Sequence, residues 1–159
     1  MQRENNPHQE RIATACGTLL IEWHGDGSFS PARLLFCDGV PDPASCLSPA
    51  ALQLQQWLNA GSSQPCPLPV RFPPNSSDFR QRVWRALMSI PAGKTLTYTE
   101  LAALIGQPKA VRAVASACAA NELALLVPCH RIVPASGGVG QYRWGAERKQ
   151  RLLQAEGTV

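Results

Sequence analysis

The chain has 159 residues, 45% of them hydrophobic and 16% charged, with a net charge of +4. That composition supports a packed core and excludes a chain disordered throughout. No apolar run reaches the roughly 20 residues that span a bilayer, and no heptads or repeats occur, so membrane-spanning, fibrous and repeat architectures are excluded as well.

Residues 1–10 are polar and lack an apolar signal core, which predicts no secretion signal and a cytoplasmic protein. Arg11 to Cys37 reads as short strands: Thr18–Trp23 is β-prone, Gly25-Asp26-Gly27 is a turn, and Leu34–Cys37 is a further strand. Asp38 to Pro49 is a proline-containing loop. Ser48-Pro49 then starts a helix over about Ala50 to Asn59, with Pro49 at the first helical position and Gly61 past the end. Gly61 to Asn75 is rich in Ser and Pro and reads as a linker.

The second half is helical. Ser77 or Asp78 caps a helix whose apolar residues Phe79, Val83, Leu87 and Ile90 share one face, and Pro91-Ala92-Gly93 stops it. Thr97 caps a short helix with Leu101, Leu104 and Ile105; Gly106-Gln107-Pro108 is a turn; a third helix covers about Lys109 to Ala119. Two short helices on a tight Gly-containing turn form a helix-turn-helix pattern, which an ordinary helical hairpin also satisfies.

Charge divides the chain, with −2 through Pro74 and +6 from Asn75 onward. A basic half attached to a mildly acidic one suggests a polyanionic partner, against the plainer reading of a solvated basic surface. The third helix is made almost wholly of small residues, with Lys109 and Arg112 as its long polar side chains. It offers little to read base edges in the major groove, but small side chains allow close approach to the minor groove, which is about 6 Å wide. The same residues also suit tight helix packing.

The six cysteines, Cys16, Cys37, Cys46, Cys66, Cys118 and Cys129, contain no C-x-x-C pair, and His8 and His24 form no zinc pattern with their neighbours. Reduced thiols and no metal or cofactor are expected. The most informative stretch is Val127-Pro128-Cys129-His130-Arg131. Leu123 to Val127 reads as a continuous apolar strand, with Pro128 ending it and presenting Cys129 at its edge. A cysteine beside an imidazole and a cation is readily converted to a thiolate. Adjacent side chains in an extended segment point apart, so His130 would act on Cys129 through a water. A carboxylate commonly orients such a histidine; spacing does not choose between Glu147 and Glu156.

Pro128-Cys129-His130-Arg131 resembles the signature of the O6-alkylguanine-DNA alkyltransferase family, the methylated-DNA–protein-cysteine methyltransferases. The resemblance runs in order from Phe79-Arg80-Gln81-Arg82-Val83-Trp84, through Ile90-Pro91-Ala92-Gly93, Tyr98, Lys109–Val114, Asn121–Val127 and Gly140-Gln141-Tyr142, to Leu152–Gly157. Ala115–Asn121 and Tyr142–Gly145 are similar to bacterial Ada-type C-terminal domains; the first half resembles the family weakly.

The resemblance implies an α/β fold: a small N-terminal sheet with a helix, then a winged-helix-like DNA-binding subdomain containing the helix-turn-helix. Residues 1–74 would be the N-terminal subdomain and linker, and 75–159 the alkyltransferase domain. It implies Cys129 as alkyl acceptor, His130 as base, Glu156 as its orienting carboxylate, and Tyr98 as proton donor that also crowds the target phosphate. Arg112 would fill the gap left by a flipped base, with Ala113, Ser116 and Ala117 along the DNA-facing helix. Asn121, grouped with these DNA-binding residues, would tie the helix-turn-helix to the active-site loop. Tyr142, Val139, Arg143 and Val127 would form the substrate pocket, with the backbone of Cys129 and Val127 reading the guanine edge.

The implied activity is irreversible, one-time transfer of an alkyl group from O6-alkylguanine, and from O4-alkylthymine, in duplex DNA. The chain would act as a monomer without cofactor, metal or membrane. A thiolate suits attack on saturated carbon near neutral pH, and the stacked base must be extruded to be reached. Departures from the family pattern are Arg143, bulkier than its counterpart in many relatives, and Ala124, which replaces a proline found in some. Arg143 would narrow the pocket or add a phosphate contact. The alternative is a non-enzymatic alkyltransferase-like lesion binder, but those carry Trp or Ala at the position of Cys129. A helix-turn-helix regulator would bind DNA sequence-selectively, and a cysteine hydrolase would turn over.

Overall fold

The computed structural model describes residues 8–26, 28–41, 46–61 and 64–157. Most of the polar start of the chain, Gly27 of the predicted turn, residues 42–45 of the proline-containing loop, and Ser62 and Ser63 of the predicted linker lie outside them. The chain divides into two compact units, Met1–Pro73 and Pro74–Val159.

The first unit holds a three-stranded antiparallel sheet in the order β1 (Gln9–Thr14), β2 (Gly17–Trp23), β3 (Pro31–Cys37). Alternation in β2 buries Leu19, Ile21 and Trp23 on one face, and Ile12 of β1 and Leu34 and Phe36 of β3 join them. Helix α1 (Pro49–Asn59) packs on β1 and buries Ala51 and Leu54. The Ser48 hydroxyl caps α1 by accepting from the Ala51 amide, and Pro49 stands at the start as predicted. The Glu10 carboxylate accepts from the Ser48 amide and hydroxyl and from Trp23 Nε1–H, each at 2.7 Å, tying the start of α1 to the sheet.

In the second unit, α2 (Asp78–Met88) starts on Ser77, whose hydroxyl accepts from the Arg80 amide. Its apolar face is Val83, Trp84 and Leu87, all buried, and Ile90 lies buried just past its end. Helix α3 (Tyr98–Leu104) opens with a full capping box, Thr97 and Glu100 each bonding the other's backbone. Residues 105–110 turn the chain into α4 (Val111–Ala119), giving the helix-turn-helix. Both α2 and α3 pack on α4, and Trp84 Nε1–H donates to the Ala117 carbonyl at 2.9 Å in the interior. Close packing is what the small side chains of α4 permit. Strands β4 (Leu96–Thr97) and β5 (Ile132–Val133) pair in parallel, and α5 (Ala146–Ala155) packs on the turn preceding β5. Among the described residues no helix is long and apolar enough to cross a membrane.

The predicted strand over Leu123–Val127 does not form. The segment is a tight loop in which Leu125 takes a left-handed conformation with φ of 68°. The Leu126 amide bonds Ala124 O, and the Val127 amide bonds Leu123 O. An apolar run of five residues carries no period that separates strand from buried loop, and here the preceding Asn121 side chain competes for the backbone groups.

Candidate active site

Cys129 opens a single 3-10 turn, Cys129–Arg131, instead of standing at a strand edge. The turn is buried throughout: Cys129 is 6% exposed, His130 1% and Arg131 5%. Three anchors fix it. The Cys129 amide donates back to Val127 O at 2.8 Å. Arg131 Nη1 donates to Ile90 O at 2.7 Å, reaching the end of α2. From the other side, Glu156 at the C-cap of α5 meets both His130 and Arg131.

That carboxylate is heavily used. His130 Nε2–H donates to Glu156 Oε1 at 2.7 Å, while Arg131 gives Nη2–H to Oε1 at 2.9 Å and Nε–H to Oε2 at 3.1 Å. Burial alone would raise its pKa; the hydrogen bonds from His130 and Arg131 outweigh this and hold Glu156 at about 2. Glu147, the other carboxylate spacing allowed, lies exposed in the first turn of α5. Burial lowers the pKa of His130, opposed by Glu156, so the ring is neutral near pH 7. With Nε2–H committed to Glu156, the lone pair is on Nδ1, a buried atom with no hydrogen-bond partner among the described residues.

Asn121 organises the thiol's other side. It is 2% exposed. Its Nδ2 donates to Val127 O at 2.9 Å and to Cys129 Sγ at 3.3 Å, and its Oδ1 accepts from the Leu123 amide at 2.8 Å. Burial pushes the Cys129 thiol pKa up; the Asn121 hydrogen bond and the charges of Lys149 and Arg143 pull the other way. At rest the group is a thiol, converted to thiolate only when a base takes its proton.

A cavity of about 200 Å³ opens onto the sulfur, lined by Tyr98, Cys118, Cys129, Tyr142 and Arg143 among others. Tyr98 is the first residue of α3, so the capping box that starts the helix also sets the phenol at the cavity. Burial, with the nearby Cys118 and Cys129, raises its pKa and keeps it a donor. The facing wall is the loop before α5. Its Tyr142 ring meets Trp144 edge-on at 5.2 Å, and Arg143 lies 5.4 Å over the Trp144 ring while donating to Asn121 O at 3.0 Å.

The predicted site residues divide accordingly. Cys129, Tyr98, Tyr142 and Arg143 share the cavity, with His130, Glu156 and Asn121 behind the sulfur. Arg112, Ala113 and Ser116 are exposed on α4. Ala117 is not: it is 1% exposed, and its carbonyl accepts from Trp84, so it belongs to the core and presents nothing to DNA. Asn121 is likewise too buried to touch DNA and holds the loop instead. Val127 is 1% exposed and its carbonyl already accepts from both Asn121 and Cys129, which leaves it no means of reading a base. Val139 is half-buried in the cavity loop without being among the residues that line the cavity.

Two side chains are placed differently from what the sequence suggests. Arg131, the cation beside Cys129 in the sequence, spends its guanidinium on Glu156 and Ile90 O rather than on the thiol. Lys149, one of the basic residues of the second half, is fully buried; its Nζ donates to Gln141 O at 3.1 Å and lies 6.0 Å from the Tyr98 ring centre. Burial lowers its pKa, and the adjacent Cys129 and Cys118 counter that. The signal was present: Lys149, Leu152, Leu153 and Glu156 fall at i, i+3, i+4 and i+7, one face of α5.

Comparison with known proteins agrees with this geometry. A family model described as "6-O-methylguanine DNA methyltransferase, DNA binding domain" matches residues 78–158. The chain is 47% identical over 118 residues to the "Bifunctional transcriptional activator/DNA repair enzyme Ada" of Escherichia coli, covering 72% of this chain and 33% of that protein. It thus spans about a third of the length of the Ada relatives it matches, this one and that of Salmonella typhimurium. With the "Methylated-DNA--protein-cysteine methyltransferase" of Mycobacterium tuberculosis it shares 35% identity over 158 residues, 94% of this chain and 92% of the relative. The crystal structure of the M. tuberculosis protein OGT in complex with DNA superposes with a TM-score of 0.76 at 34% identity, covering 94% and 92% of the two chains.

Proposed function

Since the chain belongs to the 6-O-methylguanine DNA methyltransferase family, we propose that it repairs DNA by direct reversal, moving the alkyl group of O6-alkylguanine, and of O4-alkylthymine, in a duplex onto Cys129. The observation that carries this reading is the arrangement around one sulfur. Cys129 faces a cavity with a phenol donor, while a neutral imidazole with a free Nδ1 lone pair stands beside it in the same turn.

In this reading His130 Nδ1 takes the Cys129 proton through a water, and Glu156 stabilises the imidazolium that forms. The Asn121 amide and the Lys149 ammonium stabilise the thiolate. The thiolate displaces guanine from the alkyl carbon in line; the S–C bond forms as the C–O bond breaks, and Tyr98 donates to the departing base. The extruded base occupies the cavity, where Tyr142 and Arg143 form its wall. Exposed Ala113 and Ser116 of α4 lie along the minor groove, and Arg112 enters the stack. The thioether has no route back to a thiol, so each molecule reacts once. The six free cysteines fit a reducing cytoplasm, and the protein acts as a monomer on duplex DNA.

Intact-protein and peptide mass spectrometry after incubation with a duplex carrying O6-methylguanine tests the proposal. One methyl per chain on the Cys129 peptide, absent in Cys129→Ser, supports it. Tight lesion binding without transfer would replace it with a recognition-only role.

A further inference from the structure

We infer that Cys118 is a second alkyl-accepting group, which closes an internal thioether bridge whenever the group delivered to Cys129 carries a leaving group on its second carbon. This rests on the alkyl-transfer reading above. Cys118 on α4 and Cys129 in the 3-10 turn are both buried, both free thiols, and both line the same cavity of about 200 Å³. They lie within electrostatic reach of one another, and the Lys149 ammonium within reach of both. Whatever is attached to Cys129 through the cavity is therefore placed before a second sulfur.

A methyl group ends the chemistry on Cys129. A 2-haloethyl group does not. In the first step the Cys129 sulfur bonds the alkyl carbon and guanine leaves. The product is a β-halo thioether, whose own sulfur expels halide to give a three-membered episulfonium ring. In the second step Cys118 attacks a ring carbon; a C–S bond forms, the ring C–S bond opens, and the thiol proton goes to solvent. The net loss is one hydrogen halide, and the product is Cys129 and Cys118 joined by an ethylene group. Burial, with the neighbouring Cys129, pushes the Cys118 thiol up to about 12, so its thiolate is scarce at neutral pH. Confinement compensates, since well-oriented intramolecular reactions reach effective molarities of about 10⁵ M or more. The relevant substrate class is guanine alkylated at O6 with a group bearing a β leaving group. The bridge keeps the episulfonium from alkylating the DNA or reacting with water.

The sequence makes the test direct. Arg112 and Arg131 bracket residues 113–131 with no Lys or Arg between them, so one tryptic peptide holds both cysteines. The full chain is incubated with a duplex freshly chloroethylated at guanine O6, denatured, treated with iodoacetamide and digested. The expected product is a cyclic 113–131 peptide in which ethylene replaces two thiol hydrogens, unreactive to iodoacetamide and giving no backbone fragments between the two cysteines. Cys118→Ser gives a linear peptide hydroxyethylated on Cys129, or a protein–DNA cross-link. A linear wild-type peptide with hydroxyethyl on Cys129 and carbamidomethyl on Cys118 overturns the inference. A parallel O6-methylguanine duplex separates the two failures: methylation of Cys129 without any bridge sinks only the bridge, whereas no transfer from either duplex sinks the alkyl-transfer reading with it.

Discussion

His130 donates its Nε2–H to Glu156 at 2.7 Å, and this one bond decides which ring nitrogen keeps a lone pair. Glu156→Gln removes the charge that stabilises the imidazolium. The expected loss in single-turnover transfer rate is roughly 100-fold, the low end of what a positioned base contributes. The same change leaves Arg131 buried without an anion, and thermal unfolding should report a loss of about 3 kcal/mol.

The His130 ring should stay neutral further into acid than an unperturbed histidine would. Burial lowers the His130 pKa from its ordinary 6.5, so the folded protein binds fewer protons there than the unfolded chain. Stability from this group is present above pH 6.5 and is lost as pH falls through the lowered value. Transfer rates measured from pH 8 downward should hold through 6.5 and decline only below it. Glu156, held at about 2, contributes above its ordinary 4.5 and fails only as pH falls towards 2.

Asn121→Ala should separate thiol tuning from base catalysis. It deletes the donor to Cys129 Sγ and both loop bonds. The Leu123 N–H, left without its acceptor, and Val127 O, reduced to the Cys129 amide alone, imply a stability loss of about 1–3 kcal/mol. The pH profile of Cys129 alkylation by iodoacetamide should move to higher pH; an unmoved profile would confine Asn121 to loop structure.

Arg112 is exposed on α4, remote in role from the sulfur chemistry. Arg112→Ala should slow transfer from a duplex while leaving reaction with free O6-alkylguanine base intact. If it also meets phosphate, the salt slope of duplex binding should fall by about one.

Lys149→Met keeps the length of a buried side chain and removes its charge. Loss of the cation should raise the Cys129 pKa, seen as slower iodoacetamide labelling at fixed pH, about tenfold per pKa unit. Stability should change little, because burying an ammonium is itself costly. A large drop in melting temperature with unchanged labelling would make Lys149 a strut for Gln141 alone.

Most helices were legible because their signals are local. Ser48-Pro49, Ser77 and Thr97 each carry a cap that depends on three or four neighbouring residues. The Cys129, His130 and Glu156 grouping was readable through family resemblance, whereas spacing alone left Glu147 equally eligible. What resisted reading is tertiary. Leu125 in a left-handed conformation depends on Asn121 folding back over six residues to reach Val127 O. Burial of Ala117 depends on Trp84, 33 residues away. Lys149 reads as surface because lysines usually are, yet it holds the loop wall from beneath.

The shared carboxylate also shapes how this chain could change by descent. Glu156 holds both the proposed base His130 and the Arg131 anchor, so a mutation there is expected to damage folding along with chemistry. The Cys129 sulfur receives a side-chain hydrogen bond from Asn121 and borders a cavity. On the proposed reading, replacing that thiol would silence transfer and leave the Glu156 contacts in place. A lineage drifting from repair to mere lesion binding would therefore lose Cys129 first and keep Glu156 long after its catalytic purpose had gone.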